Sequence, residues 1–176
     1  ETDGFYAVKD FKEGSLNGNL MGGTLLPGVI KYQGQNPNPG DIKYKDLDKD
    51  GVIFTGDNTV DNPGDRKIIG NNNRRYQYGI SGSVSYSGFD LSFFIQGVGK
   101  RDLYVVNDVT FPYSSNYGTI YSELLNYWRS DNTDAHYGRT YVEGGNKMYN
   151  MYPQTLFLLN GAYMRIKNVT LGYSIP

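Results

Sequence analysis

The sequence of 176 residues contains no cysteine, one histidine and one tryptophan, and it has no long apolar run. Without cysteine there is no disulfide framework. Because no uncharged apolar stretch approaches about 18 residues, the sequence predicts no transmembrane helix. The 17 basic and 18 acidic side chains are interspersed without a basic stripe, which argues against nucleic-acid binding. The single histidine, His136, accompanies no serine or cysteine nucleophile motif, so we expect no enzyme.

Glycine and tyrosine are abundant, with 23 and 17 copies, and the clearest pattern lies between residues 75 and 95. Up to the turn-prone pair Ser87-Gly88 the even positions are mostly apolar and the odd positions are small or polar. After that pair the odd positions become apolar. The apolar set comprises Tyr76, Tyr78, Ile80, Val84, Tyr86, Phe89, Leu91, Phe93 and Ile95. Two alternating runs around a two-residue turn predict a β-hairpin.

The polar face of this hairpin indicates a membrane β-barrel. Its residues are mostly Ser, Gly and Gln, with Asp90 beside them and Phe94 as an exception, whereas the polar face of a soluble sandwich usually carries Lys and Glu. Tyr76 to Tyr86 would cross about 25 Å at about 3.3 Å per residue and a tilt near 45°. The terminal tyrosines would then lie at the two membrane interfaces. Residues 168–175 repeat the alternation and predict another spanning strand.

The predicted fold class is all-β, as part of a large antiparallel transmembrane β-barrel with long extracellular loops. All of residues 1–176 would belong to one barrel domain. Within it, 1–74 would form strands and an outer loop, 75–99 a spanning hairpin, 100–160 an outer loop and 161–176 a spanning strand. Because even the smallest barrel needs about eight strands, we expect the chain to be a piece of a longer protein.

Two further elements are predicted from local patterns. Residues 24–32 are a strand candidate, although Pro27-Gly28 interrupts them. Residues 119–129 place Ile120, Leu124, Leu125 and Trp128 at helical spacing, which predicts a short helix.

An acidic loop at residues 46–57 matches the spacing of a 12-residue calcium loop. The predicted metal ligands are Asp46, Asp48, Asp50, the carbonyl of Val52 and Asp57. Position 12 is Asp57 instead of glutamate. Because the aspartate side chain is shorter, Mg²⁺ could occupy the loop as well as Ca²⁺. The metal would be structural, because flanking helices are not predicted. The alternative is a solvated acidic turn balanced by neighbouring lysines.

Several segments resemble one family across nearly the whole chain and in the same order. They are Pro39–Ile53, Gly64–Asn71, Tyr76–Gly79, Phe89–Ser92, Phe94–Gly97, Tyr127–Arg129 and Gly161–Pro176. These segments are similar to the C-terminal barrel region of SusC/RagA-type TonB-dependent outer-membrane transporters of the Bacteroidetes.

The resemblance implies a barrel of about 22 strands with an N-terminal plug. It also implies residence in the bacterial outer membrane in contact with lipid, import driven by TonB through parts absent from this sequence, and a SusD-like lipoprotein over the outer mouth. The cargo would be a glycan, a peptide or another oligomeric nutrient, and its binding residues stay unassigned. The alternative function is a secreted all-β binding or adhesive module with a structural calcium loop.

Overall fold

The computed structural model describes residues 1–57, 59–105, 121–142 and 145–175. The fold is all-β, because strands form most of the regular structure in this part of the chain and the helical segments are short. Every pair of these strands is antiparallel. No helix in these ranges has the length and apolarity needed to cross a membrane. The chain divides into two compact units. One unit comprises Glu1–Ile69 and Val106–Phe157, and the other comprises Gly70–Val105 and Leu158–Pro176.

The first unit is built mainly of loops around a small core. Strand β1 (Thr2–Phe5) pairs with β2 (Ile42–Tyr44). Its one α-helix among the described residues is α1 (Gly145–Asn150), and single 3₁₀ turns cover Val8–Asp10, Ser122–Leu125 and Thr155–Phe157. The buried apolar side chains are Tyr6, Phe11, Ile42, Ile53, Leu124, Trp128, Ala135 and Phe157. Because the strands and helices of this unit are short, contacts between these buried side chains hold it together.

Two local predictions for this unit are wrong. Residues 24–32 form no strand, because Gly28 adopts a φ of +87° within a turn and only isolated bridges at Leu25 and Tyr32 remain. The helix predicted for 119–129 is reduced to the 3₁₀ turn at Ser122–Leu125, while residues 119 and 120 lie outside the described ranges. Trp128 lies outside this turn, between the isolated bridges at Tyr127 and Arg129, and its N–H donates to the carbonyl of Tyr137.

The second unit contains the predicted hairpin and confirms its turn. Strand β3 (Arg75–Tyr86) pairs with β4 (Phe89–Lys100), with Tyr86 opposite Phe89. Ser87 and Gly88 have φ angles of +49° and +84°. Two positive values at the central positions of a two-residue loop match the type I′ turn, whose twist suits a hairpin.

Three further strands complete this unit. Strand β5 (Asp102–Tyr104) pairs with β6 (Leu158–Asn160), so the predicted outer loop 100–160 begins and ends in a short ladder. Strand β7 (Tyr163–Tyr173) then pairs with β4 along almost its whole length. The long sheet thus has the order β3-β4-β7, in which consecutive long strands are neighbours.

The register places one continuous apolar face on this three-stranded sheet. Residues directly opposite each other in an antiparallel ladder share a face. The rows across β3, β4 and β7 are Tyr78–Gly97–Met164, Ile80–Ile95–Ile166, Gly82–Phe93–Val169, Val84–Leu91–Leu171 and Tyr86–Phe89–Tyr173. We call this the apolar sheet face. Ser81, Ser83, Ser92 and Thr170 lie on the other side.

A β-bulge at Lys167 keeps the apolar sheet face continuous along β7. Ile166 is opposite Ile95 and Asn168 is opposite Phe94, so Lys167 is an extra residue in β7. A bulge shifts the alternation by one position. For this reason the even-numbered Ile166 and the odd-numbered Val169 point to the same side.

Candidate functional site

The structure brings together three of the predicted metal ligands. Oxygen atoms of Asp46, Asp48 and Asp50 lie within 4.8 Å of one another. Asp46 is half-buried, and the other two carboxylates are exposed. Carboxylate oxygens at this spacing are the ligand type that Ca²⁺ and Mg²⁺ prefer.

Short hydrogen bonds within the loop hold this arrangement. The Asp46 carboxylate accepts from the N–H groups of Lys49 at 2.5 Å and Gly51 at 2.9 Å. Asp50 accepts from the N–H of Val52 at 2.8 Å. Lys49 and Gly51 have φ angles of +65° and +89°, and these left-handed residues turn the chain sharply enough for the carboxylates to converge.

Asp65 fixes both arms of the acidic loop and was not assigned a role by the sequence. Its Oδ1 accepts from the N–H of Leu47 at 2.6 Å, and its Oδ2 accepts from the N–H of Phe54 at 2.9 Å. One carboxylate therefore joins Leu47, near the start of the loop, to Phe54 in its second half. Its only sequence signal was its place in the Gly64–Asn71 segment, because such long-range bonds leave no periodic pattern.

The other two predicted ligands are placed differently. Asp57 is not part of the group of three acids in the described residues. Its carboxylate accepts from the N–H of Thr59 at 3.2 Å and from the Thr59 hydroxyl at 2.6 Å, and this hydroxyl bond holds the pKa of Asp57 below its usual value. Val52 lies in the exposed turn after Asp50. The metal site as a whole stays a prediction.

Electrostatic repulsion within the loop is visible at Asp48. The N–H of Asp50 donates to its carboxylate, which lowers the pKa. Desolvation and the charges of Asp50, Asp65 and Asp46 act in the opposite direction, and the net result is a raised pKa for Asp48. A divalent cation would relieve this repulsion, because it attracts all of these carboxylates at once.

A second polar cluster sits in the core next to β2. Asp41 is completely buried, and its carboxylate accepts from the N–H of Asn38 at 2.8 Å and from the amide of Asn150 at 2.9 Å. The Asn150 side-chain oxygen in turn accepts from the N–H of Ile42. Burial raises the pKa of Asp41 to about 6. This network ties α1 to the segment before β2.

Two of the segments that carry the family resemblance meet beside Asp41. Gly40 has a φ of +91°, and a Cβ atom there would collide with the ring of Trp128. The guanidinium of Arg139 lies 5.7 Å from the centre of that ring and donates to the carbonyls of Leu20 and Pro39. The Pro39–Ile53 and Tyr127–Arg129 segments therefore pack together in one core.

Comparison with known proteins gives a consistent assignment. The chain is 27% identical to TonB-dependent receptor P3 of Formosa agariphila over 171 residues, which cover 97% of this chain. It is 26% identical to TonB-dependent receptor P26 over 78% of this chain, and 25% identical to TonB-dependent receptor P39 over 98%, both from the same organism. No family model matches the sequence.

The chain is related to the TonB-dependent receptors. It spans 15%, 13% and 16% of the lengths of those three receptors. The similarity therefore concerns a small part of a TonB-dependent receptor, and the resemblance to TonB-dependent receptors stated from the sequence is confirmed.

Calcium titration of this chain tests whether its acidic loop binds a metal ion. We expect Ca²⁺ to raise the unfolding temperature, since a ligand that binds only the folded state adds about 2.7 kcal/mol of stability at 100 times its Kd. Asp48→Asn should abolish the increase, because it removes one of the three converging carboxylates.

The matched control is Asp61→Asn, an exposed carboxylate outside the loop, which should leave the calcium response unchanged. An equal response in the Asp48 and Asp61 variants would contradict the site. Oxygen–metal distances of about 2.3–2.6 Å would identify Ca²⁺, and about 2.0–2.1 Å would identify Mg²⁺.

Proposed function

We propose that the chain forms part of the membrane-spanning wall and outer loops of a SusC-like TonB-dependent outer-membrane transporter. The observation that carries the proposal is the apolar sheet face. Most of its large side chains are exposed to solvent, including Ile80 at 53%, Val84 at 60% and Leu171 at 71%. A contiguous apolar surface of this kind marks a contact with lipid or with another apolar partner. A lipid bilayer covers it in this proposal.

Strand length and the position of the aromatic residues support the same proposal. Strands β3, β4 and β7 have 12, 12 and 11 residues. A transmembrane β-strand needs about 9–11 residues at a tilt near 45°. Tyr86, Phe89 and Tyr173 form the row next to the turn, with the Phe89 and Tyr173 rings 4.6 Å apart. Tyr76 and Tyr78 lie near the other end, so aromatic residues occur at both borders, as in the girdles of outer-membrane barrels.

The proposed activity is import rather than bond chemistry. The transporter takes up glycans or other oligomeric nutrients, receives energy from TonB through parts outside this sequence, and works with a SusD-like lipoprotein over its outer mouth. Support comes from the three related TonB-dependent receptors and from the segments that resemble SusC-type barrels. A secreted module would need another partner to cover the apolar sheet face.

Cysteine labelling on intact cells tests this arrangement. This sequence has no cysteine, so a single introduced one is the only thiol that it contributes. We expect Asp134→Cys, in an exposed part of the 100–160 connection, to react with a membrane-impermeant maleimide on intact cells. Ser87→Cys, in the short turn, should react only after the outer membrane is permeabilised, because short turns of such barrels face the periplasm.

The labelling pattern has two clear alternatives. Reaction at Ser87 but not at Asp134 would reverse the orientation and remove the argument for an outer loop. Recovery of the labelled protein in the soluble fraction, with both sites reactive, would instead support the secreted module.

A further inference from the structure

Charged side chains are distributed unevenly on the side of the long sheet that lies opposite the apolar sheet face. We call it the polar sheet side. Its rows across β3, β4 and β7 are Gln77–Val98–Tyr163, Gly79–Gln96–Arg165, Ser81–Phe94–Asn168, Ser83–Ser92–Thr170 and Ser85–Asp90–Gly172, and Arg75 is opposite Lys100 beyond the first of them. Lys167 is left aside because, as the bulge residue, it has no partner in the register. Three cations therefore lie toward one end of the polar sheet side, and one carboxylate lies at the other.

Two of these cations have no carboxylate partner among the described residues. Arg75 forms an ion pair with Asp102 at 3.6 Å, which compensates its charge locally. Lys100 and Arg165 are exposed, and neither forms an ion pair in the described part of the chain. The guanidinium of Arg165 lies 5.1 Å from the centre of the Tyr163 ring. Contact with an aromatic face holds a guanidinium in place and leaves its positive charge uncompensated.

The carboxylate of the polar sheet side is too far away to neutralise Lys100 and Arg165. Asp90 lies in the row next to the turn, and it accepts a 2.5 Å hydrogen bond from the Ser85 hydroxyl. Arg165 is opposite residue 96 of β4, which is about 20 Å from residue 90 at about 3.3 Å per residue. Lys100 is about 33 Å from Asp90 on the same measure. Both distances exceed the Debye length of about 8 Å at physiological ionic strength, so the two ends of this side differ in sign of charge.

From this distribution we infer that the polar sheet side selects anionic solutes in the pore, with Lys100 and Arg165 as the charge-selecting residues. The inference rests on the proposed function, in which one side of the wall faces lipid and the other faces the lumen. Fixed charges on a wall of low dielectric constant raise the concentration of oppositely charged solutes in the water beside it. The guanidinium of Arg165 can also donate two parallel hydrogen bonds to a carboxylate or a sulfate ester.

The inference deepens the proposed function by naming the charge class of the cargo. In the proposed orientation the cationic end is the outer end, because the Ser87-Gly88 turn faces the periplasm. An incoming solute therefore passes Lys100 and Arg165 before it reaches Asp90. Anionic solutes are attracted at the entrance, cationic solutes are repelled there, and neutral solutes gain nothing from these charges.

Reaction rates of an introduced cysteine with charged thiol reagents measure this selectivity. The probe is Gln77→Cys, because Gln77 is exposed and its row lies between those of Lys100 and Arg165. The anionic sulfonatoethyl and the cationic trimethylammonioethyl methanethiosulfonates are applied to outer membranes isolated from the host, and labelling at residue 77 is quantified by mass spectrometry. The ratio of the two rates is divided by the ratio for free cysteine. We expect the anionic reagent to be favoured about fivefold or more, and less as salt rises.

Matched variants assign the preference to the two cations. Lys100→Gln combined with Arg165→Gln should bring the ratio close to one. Lys100→Arg combined with Arg165→Lys keeps both charges and should keep the preference, which shows that the loss comes from charge and not from a disturbed fold. Ser85→Cys, opposite Asp90, should instead favour the cationic reagent.

Three results would overturn the inference. These are equal normalised rates at Gln77→Cys, a preference that survives the combined glutamine substitutions, and no reaction at Gln77→Cys with either reagent, which would mean that other parts of the protein cover this side.

Ile80→Cys tests the proposed function in the same membranes. Ile80 lies on the apolar sheet face, where lipid should shield a thiol from both charged reagents. Reaction there as fast as at Gln77→Cys would refute the membrane wall, whatever the charge preference. An unreactive Ile80→Cys together with equal rates at Gln77→Cys would refute only the selection of anionic solutes.

Discussion

Ile80→Lys is expected to lower the stability of the protein in a bilayer by about 2–4 kcal/mol, the effect of a lysine near the midplane of a barrel wall. Ile80 lies on the apolar sheet face, directly opposite Ile95. Its row is adjacent to the central row of this face, which contains Phe93. An ammonium group placed there must either lose its water or thin the bilayer. Ser81→Lys, one position along, points to the polar side and should have a much smaller effect.

Urea unfolding of the protein in lipid vesicles measures both changes. The pair forms its own control, since the substituted residue is the same and only the side of the sheet differs. Equal effects would show that the apolar sheet face does not contact lipid. A larger effect for Ser81→Lys would mean a register displaced by one residue, because such a displacement moves every side chain to the other face.

Gly40→Ala is expected to destabilise the first unit by about 2–5 kcal/mol. Two effects add. A φ of +91° is unfavourable for any residue with a Cβ, by about 1–2 kcal/mol. The added methyl group would also collide with Trp128, and overpacking of a well-packed core costs about 1–3 kcal/mol. Movement of the Trp128 ring would disturb its contact with Arg139.

Gly28→Ala separates the two effects. Gly28 has nearly the same φ, +87°, but a Cβ atom there would have no neighbour within 4 Å. It should therefore show the backbone effect alone, about 1–2 kcal/mol. Thermal unfolding measures both variants, and fluorescence reports on Trp128, the single tryptophan of this sequence. Equal destabilisation by the two substitutions would show that the Trp128 contact contributes nothing.

The hairpin was predictable from the sequence because its information is local. Alternation with period 2 places apolar residues on one side of a strand, and Ser87-Gly88 supplies the two positive φ angles of the turn. The convergence of Asp46, Asp48 and Asp50 was predictable for a similar reason, since the bonds that bend this loop join residues at most five apart. The prediction from apolar spacing failed at residues 119–129, where packing in the core determines the backbone conformation. Leu124 and Trp128 had helical spacing and both are buried, yet Leu124 lies in a 3₁₀ turn and Trp128 lies between two isolated bridges.

The sequence by itself determined the all-β character, the two faces of β3 and β4, and the acidic turn, because each depends on neighbours within a few positions. Only the tertiary structure decided the pairing of β7 with β4 and the bulge at Lys167 that aligns their apolar residues. It also decided the role of Asp65 at the acidic loop and the burial of Asp41 against Asn150. These features join residues as far as 109 positions apart, and contacts of that kind arise from packing and from the satisfaction of buried polar groups, which leave no periodic trace in a single sequence.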